Sequence, residues 1–282
     1  MYCRLECLQE TGTRSPVVFI HGFPDSPLMF TEYMTADEQG QPWLRDRQIY
    51  TIAFPNRFTN PNYPSLGALV REPLQPEVDA LLSERIAASP TGKIIIVAHD
   101  WGATCTWKFV RTHPDLRGGI EALVALSVAS SFRYDVWEHG LRAIGWAYSA
   151  LFGLPYYVRV PAVQRFVARM IVERGGYQSD QNDTLHMDTY HYWYGPLRPF
   201  LLPFDLIGLR ARPAFLDFAF PVLYIRSPID RLPSTAAFER AMAGRPNCHM
   251  VVLEDVNHWF PEQHPQRVLG EIRAFFGQQN VG

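Results

Sequence analysis

The most regular feature of the chain is a series of short apolar runs separated by longer segments of mixed polarity. Each run has the length of one strand and is not interrupted by polar residues, which is typical of strands buried on both faces of a parallel sheet. The runs lie at residues 16–20, 49–54, 94–98, 122–128, 221–226 and 250–253. Residues 2–9 alternate more in polarity, as an edge strand does.

The segments between these runs predict helices and loops. Residues 75–89 and 102–113 are long enough to be helices that cross over between parallel strands. Residues 55–66 hold three prolines and three asparagines, which favour a long loop. The pattern therefore predicts an α/β fold, with a mostly parallel central sheet flanked by helices.

The regular alternation stops between residues 132 and 212, where aromatic residues, prolines and arginines crowd together without a clear strand. Strand-like runs resume at Pro221. This pattern predicts an inserted, mainly helical cap at residues 132–212, and a core domain made of residues 1–131 and 213–282.

Composition narrows the function. The chain has 282 residues, and its 26 basic and 28 acidic residues form no long run of one sign. We therefore expect a small, largely neutral organic substrate, with no binding of nucleic acid or membrane. The N-terminus lacks the apolar region of a signal peptide, so we expect a cytoplasmic protein. We also expect the protein to be a monomer or a homodimer. Its four cysteines are expected to be free thiols.

The strongest local signal follows the run at residues 94–98. This run leads directly into Ala98, His99, Asp100, Trp101 and Gly102, a pattern of small residue, any residue, Asp, any residue, small residue. A buried strand followed by such a turn and a helix is the setting of a nucleophile elbow, in which a strained turn exposes the middle residue. The middle residue here is Asp100. The alternative is that Asp100 only caps the helix.

Residues 19–24 supply a second signal. They end an early buried strand with His-Gly-Phe-Pro, and the glycine permits a turn that would bring the N–H of Phe23 to the same end of the sheet. Together with the N–H of Trp101, it would form an oxyanion hole. The alternative is a simple tight turn.

Two further polar residues follow predicted strands. Asp230 lies in the loop after residues 221–226, and His258 lies in the loop after residues 250–253. Nucleophile, acid and histidine in this order is the arrangement expected of a catalytic triad on this type of fold. Taken singly, an Asp or a His in a loop is more often a solvated residue or a helix cap, and it is the pair in this order that favours catalysis.

With these residues assembled, the chain resembles the α/β-hydrolase superfamily over nearly its whole length. The resemblance rests on residues 21–24 (His-Gly-Phe-Pro), 99–102 (His-Asp-Trp-Gly) and 257–261 (Asn-His-Trp-Phe-Pro). Within the superfamily the chain is most similar to the branch of epoxide hydrolases and haloalkane dehalogenases, and closest to the epoxide hydrolases. The resemblance implies an α/β-hydrolase fold that works without a cofactor or metal.

The roles of that branch carry over to matching positions of this chain. Asp100 would be the nucleophile, His258 the base and Asp230 the partner that orients it. The N–H groups of Phe23 and Trp101 would form the oxyanion hole. At the acid loop the chain departs from the family, because Ser227 stands where glycine is usual.

Substrate class depends on a few positions. Haloalkane dehalogenases commonly place a polar residue where this chain has Phe23, which disfavours but does not exclude that reaction. Fluoroacetate dehalogenases carry arginines just after the nucleophile, whereas this chain has Trp101 and Thr104. Renilla-type luciferases share His-Asp-Trp-Gly, so this motif alone does not identify the reaction. A non-catalytic ligand-binding homologue is a further alternative.

Epoxide hydrolases use cap tyrosines to donate a hydrogen bond to the epoxide oxygen. By resemblance, Tyr194, Tyr192 and Tyr157 are the candidates for this role, although each could instead be a packing aromatic. An aspartate with the ordinary pKa of about 3.9 is ionised at neutral pH and needs no base in order to attack. His258 would then be free to activate water in a second step, so the sequence predicts a hydrolase that opens epoxides to vicinal diols.

Overall fold

The fold is organised around a mixed sheet of seven strands, which the computed structural model places in the order β1-β3-β2-β4-β5-β6-β7. The structure describes residues 3–22, 25–35, 42–54, 74–130, 166, 176, 217–230, 234 and 236–279. Only β1 runs antiparallel to its neighbour, and the remaining pairings are parallel. The strands are β1 (Arg4–Gln9), β2 (Arg14–Ile20), β3 (Arg47–Ala53), β4 (Ile94–His99), β5 (Ile120–Leu126), β6 (Val222–Arg226) and β7 (Cys248–Val252).

Helices connect these strands and cover the sheet. The described α-helices are α1 (Thr31–Thr35), α2 (Gln75–Ala87), α3 (Trp101–Thr112), α4 (Ala236–Ala243), α5 (Phe260–Gln263) and α6 (Pro265–Gln279). Short 3-10 helices occupy Pro27–Phe30, Pro42–Leu44 and Pro114–Gly119. No helix among the described residues is both long and apolar enough to span a bilayer.

Alternating side chains of the central strands fill two separate cores. Val18 and Ile20 of β2 belong to a cluster that also contains side chains of α2, α3 and α4. Val17 and Phe19 belong to a second cluster, on the opposite face, which contains side chains of α1 and α6. Burial on both faces explains why these strands read as continuous apolar runs.

The structure confirms the predicted α/β architecture, and each apolar run coincides with a strand. Several boundaries differ by one or two residues; β3, for example, begins at Arg47 rather than at residue 49. The Arg47 side chain is only 1% exposed, and it donates hydrogen bonds to the carbonyls of Trp43 and Ser15. A charged residue can therefore extend this strand. The predicted loop at residues 55–66 and almost all of the predicted cap lie outside the described residues.

Two glycines permit a close approach of backbone segments where β2 and β4 end. A Cβ atom at Gly102, in the first turn of α3, would lie 2.3 Å from the carbonyl oxygen of Ile20. A Cβ atom at Gly22 would lie 2.5 Å from the Cβ of Asp100. Neither position has room for a side chain. Because glycine has none, α3 can begin close to the ends of β2 and β4.

We predict that Gly102→Ala lowers the free energy of unfolding by about 3 kcal/mol, because the added methyl group meets backbone atoms that cannot move independently. Urea unfolding monitored by circular dichroism measures the change. Gly270→Ala is the matched control, since it lies in α6 with open space around it. Alanine is the better helix former there, so a gain of about 0.5–1 kcal/mol is expected. Equal effects of the two substitutions would contradict the proposed crowding.

Candidate active site

Asp100 occupies a strained turn between β4 and α3. Its φ and ψ angles are 49° and −114°, outside the regions that L-residues ordinarily adopt. Its N–H donates to the carbonyl of Leu126 over 3.3 Å, and its own carbonyl accepts from the N–H and hydroxyl of Thr104. Within the described first turn of α3, its carboxylate accepts no capping hydrogen bond. The geometry therefore disfavours the interpretation of Asp100 as a simple helix cap.

His258 lies between two carboxylates. Its Nδ1 is 2.8 Å from Oδ2 of Asp230, and its Nε2 is 3.6 Å from Oδ1 of Asp100. The side chains of Asp100 and Asp230 are 8% and 2% exposed, and that of His258 is 14% exposed. The three residues come from loops after β4, β6 and β7, which reach the same edge because those strands are parallel. The three side chains that the sequence suggests as nucleophile, base and acid thus lie together, with His258 between the two carboxylates.

Ser227 joins the acid loop to the histidine loop. Its hydroxyl donates to the carbonyl of Val256 and accepts from the N–H of Ile229 over 3.1 Å. The departure from the family's usual glycine therefore adds a hydrogen bond between the loops that carry Asp230 and His258. Because both partners of this buried hydroxyl are backbone groups, it restrains the backbone of both loops.

The backbone of His258 is held as well as its ring. Its carbonyl accepts from Nε2 of His99 over 3.1 Å and from the hydroxyl of Ser127 over 3.4 Å. The other ring nitrogen of His99 lies 3.4 Å from Oδ2 of Asp25, a carboxylate that is 2% exposed. Sequence reasoning did not single out Asp25 or Ser127, and it treated His99 only as part of a motif. No spacing signal marks these contacts, because they join residues far apart in the chain.

The segment that would carry the oxyanion hole is anchored by His21. The Nε2 of this residue accepts from the N–H of Phe54 over 3.2 Å, so its Nδ1 carries the proton and donates to the carbonyl of Gly22 over 2.8 Å. Trp101 is the first residue of α3, where the backbone N–H groups point out of the N-terminal end of the helix. Phe23 and the candidate cap residues Tyr157, Tyr192 and Tyr194 lie outside the described residues.

Opposing effects act on the pKa of His258. Burial lowers it, but the charge and hydrogen bond of Asp230 raise it, and the charges of Asp100 and Asp25 raise it further. The net effect raises the pKa of His258 from its ordinary value to about 9. His258 therefore carries a proton at neutral pH in the free protein, and its charge offsets part of the surrounding negative charge.

Chemically, the site combines a carboxylate with a proton carrier in a water-poor setting. Asp100 can attack an electrophilic carbon without first losing a proton. His258 can exchange a proton with water or with a leaving oxygen next to Asp100, because Asp230 holds its ring in one tautomer. Neither role requires a metal or a cofactor.

Comparison with known proteins relates most of this chain to a described family. The model of a family described as the alpha/beta hydrolase family matches residues 17–271. A 2-(acetamidomethylene)succinate hydrolase from Mesorhizobium japonicum is 25% identical over 193 residues, which cover 65% of this chain. The match spans 64% of the length of that relative.

Solved structures resemble the chain over almost its whole length. An epoxide hydrolase from Bacillus megaterium, bound to an inhibitor, has a TM-score of 0.67 at 15% identity, with 98% of this chain and 96% of that chain covered. Potato (Solanum tuberosum) epoxide hydrolase I has a TM-score of 0.58 at 20% identity, with coverages of 98% and 100%. A thermophilic esterase from Thermogutta terrifontis has a TM-score of 0.58 at 19% identity, with coverages of 99% and 93%. Likeness at these identities establishes the fold alone.

We predict that Asp100→Asn lowers the pKa of His258 below its wild-type value of about 9, because it removes a negative charge 3.6 Å from Nε2. Asp25→Asn should lower this pKa by less, since the charge of Asp25 contributes least of the three. NMR titration of the imidazole Cε1–H signal measures both changes. An unchanged or higher pKa in Asp100→Asn would contradict the electrostatic coupling.

The same coupling affects stability. Because the folded-state pKa of His258 lies above its ordinary value of 6.5, protonation of this ring stabilises the native state. The contribution is fully present below pH 6.5 and is lost as the pH rises through about 9. In Asp100→Asn the contribution should be smaller, and its loss should be complete at a lower pH.

Proposed function

Since the chain belongs to the alpha/beta hydrolase family, we propose that it opens epoxides to vicinal diols through a covalent ester on Asp100. The observation that carries the proposal is the identity of the residue in the strained turn. A carboxylate, rather than a serine hydroxyl, lies within 3.6 Å of Nε2 of His258. A carboxylate attacking an acyl carbon would form an anhydride with no clear advantage, whereas at the sp3 carbon of a strained ring it forms a stable ester.

In the first step, a carboxylate oxygen of Asp100 attacks one epoxide carbon. The ring C–O bond breaks, and its electron pair stays on the epoxide oxygen. We assign the hydrogen bond to this oxygen to Tyr194, assisted by Tyr192 or Tyr157, as the resemblance to epoxide hydrolases implies. The products of this step are an alkyl ester of Asp100 and, after proton transfer, a hydroxyl group on the adjacent carbon.

The ester changes the charge around His258. Once Asp100 is alkylated it no longer carries a negative charge, and one of the interactions that raise the pKa of His258 is lost. The pKa of His258 then falls, and the proton that it releases can replace the one given to the opening alkoxide. His258 is thereby converted from an imidazolium into a base at the stage when a base is needed.

In the second step, neutral His258 removes a proton from water, and the resulting hydroxide adds to the ester carbonyl carbon of Asp100. The N–H groups of Phe23 and Trp101 are proposed to stabilise the oxyanion that forms, each contributing about 3 kcal/mol to lowering the barrier. Collapse of this intermediate breaks the bond to the alkyl oxygen, which takes a proton from His258. The diol leaves, and Asp100, released as a carboxylic acid, passes its proton to His258 and returns as a carboxylate.

We predict that His258→Gln lets the ester accumulate, because Asp100 can still attack but no base activates water. Mass spectrometry of the peptide that carries Asp100 should show an increase equal to the mass of the epoxide within one turnover. The double variant Asp100→Asn with His258→Gln is the control and should show no adduct. Absence of an adduct in the single variant, with a reactive epoxide, would count against the covalent mechanism.

The reaction class is tested by assaying a panel of epoxides and bromoalkanes with the wild-type protein and the Asp100→Asn variant. We expect diol formation from epoxides and a loss of at least about a thousandfold in kcat on substitution, since the nucleophile itself is removed. Halide release from bromoalkanes without diol formation would instead favour the haloalkane dehalogenase alternative. Stoichiometric binding without turnover of either class would favour a ligand-binding role.

A further inference from the structure

The backbone carbonyl of Gly176 accepts two side-chain hydrogen bonds, one from the loop that carries His258 and one from the end of α5. Nδ2 of Asn257 donates to it over 2.9 Å, and Nε2 of Gln263 donates to it over 3.1 Å. Gly176 belongs to the stretch that the sequence predicts to be the cap, residues 132–212. Asn257 directly precedes His258, so the contact reaches the residue next to the proposed base.

The amide of Asn257 also restrains the backbone around His258. Its Oδ1 accepts from the N–H of Trp259 over 2.9 Å, which closes a turn that spans His258. Both ends of the amide are therefore engaged, Oδ1 by the backbone N–H that follows His258 and Nδ2 by the carbonyl of Gly176. The carbonyl of Asn257 in turn accepts from the N–H of Phe260 over 3.2 Å, at the start of α5.

Gly176 is adapted to this contact. Its φ angle is +80°, a conformation that L-residues with a side chain rarely adopt. A Cβ atom there would lie 3.1 Å from Nδ2 of Asn257. An alanine at this position would therefore disturb the approach of its carbonyl to Asn257, without altering any residue of the core.

We propose that Asn257 is a positioning residue for the water-activation step, and that its bond to Gly176 fastens the His258 loop to the predicted cap. This inference rests on the proposed function. The amide sets the His258 backbone from one side, while Gly176 and Gln263 prevent the amide from turning away. In this arrangement, the placement of the base depends on a contact with the segment that would cover the substrate.

The two chemical steps respond differently to loss of this contact. Attack by Asp100 on the substrate carbon does not need proton removal by His258, so ester formation changes by less than about twofold. Ester hydrolysis requires Nε2 to meet a water molecule beside Asp100. A displacement of about 1 Å can lower the rate of such a step by about a hundredfold. The ester therefore accumulates when this contact is lost.

The test compares Asn257→Ala and Gly176→Ala with Gly92→Ala. Gly92 has a φ angle of +69° and nothing within 4 Å of an added Cβ, so it controls for backbone strain alone. Single-turnover kinetics with an epoxide resolve formation and hydrolysis of the ester. We expect hydrolysis to slow by about 10–100-fold in the first two variants only. Equal slowing of both steps, unchanged hydrolysis, or the same slowing in Gly92→Ala would overturn the proposal.

A second measurement is independent of turnover and separates this inference from the proposed function. In Asn257→Ala and Gly176→Ala the ring of His258 is less firmly held against Asp230, so NMR titration should give a lower pKa than the wild-type value of about 9. Amide exchange of Trp259 should also accelerate in both variants, because Asn257 Oδ1 is absent in the first and the amide that carries it is no longer held by Gly176 in the second. If the wild type forms no ester, the proposed function fails and these NMR results alone decide the inference. Wild-type pKa and exchange in both variants would overturn it.

Discussion

The close approach of the β4–α3 turn to the end of β2 is the constraint on which the rest of the site depends. The carbonyl oxygens of Ile20 and His21, at the end of β2, occupy the space that a side chain at Gly102 would need, and the Asp100 side chain occupies the space beside Gly22. With these contacts in place, Asp100 is held in a backbone conformation that its type rarely adopts. The strained turn places its buried carboxylate at the edge of the sheet where the loops after β6 and β7 also lie.

Those two loops are held by hydrogen bonds that do not involve the reacting atoms. Ser227 connects the acid loop to the carbonyl of Val256, while His99 and Ser127 hold the carbonyl of His258. Asp230 then needs only to orient a ring whose backbone is already restrained. Such preorganisation matters because a proton carrier that is displaced from its water loses most of its effect. The charges of Asp100, Asp230 and Asp25 add a second form of control, since they set when His258 keeps its proton.

Much of this arrangement could be predicted from local sequence. The strands are continuous apolar runs because both faces are buried, and the order Asp100, Asp230, His258 follows from the succession of parallel strands. The contacts of Asp25 and His99 could not be predicted, because they depend on distances between segments that only folding brings together. Ser227 looked like a departure from a pattern, and its role became visible only with its partner, Val256. The cap tyrosines and the domain boundaries stay predictions.

The covalent role of Asp100 is tested most directly by a single turnover in water enriched in heavy oxygen, with enzyme in excess over an epoxide. If water attacks the ester carbonyl, the label enters the Asp100 carboxylate, and the diol from this first turnover is unlabelled at the carbon that was attacked. Mass spectrometry of the diol and of the peptide that carries Asp100 distinguishes the two fates. Label in the diol and none in Asp100 would mean that water attacks the epoxide directly, and would contradict a nucleophilic aspartate.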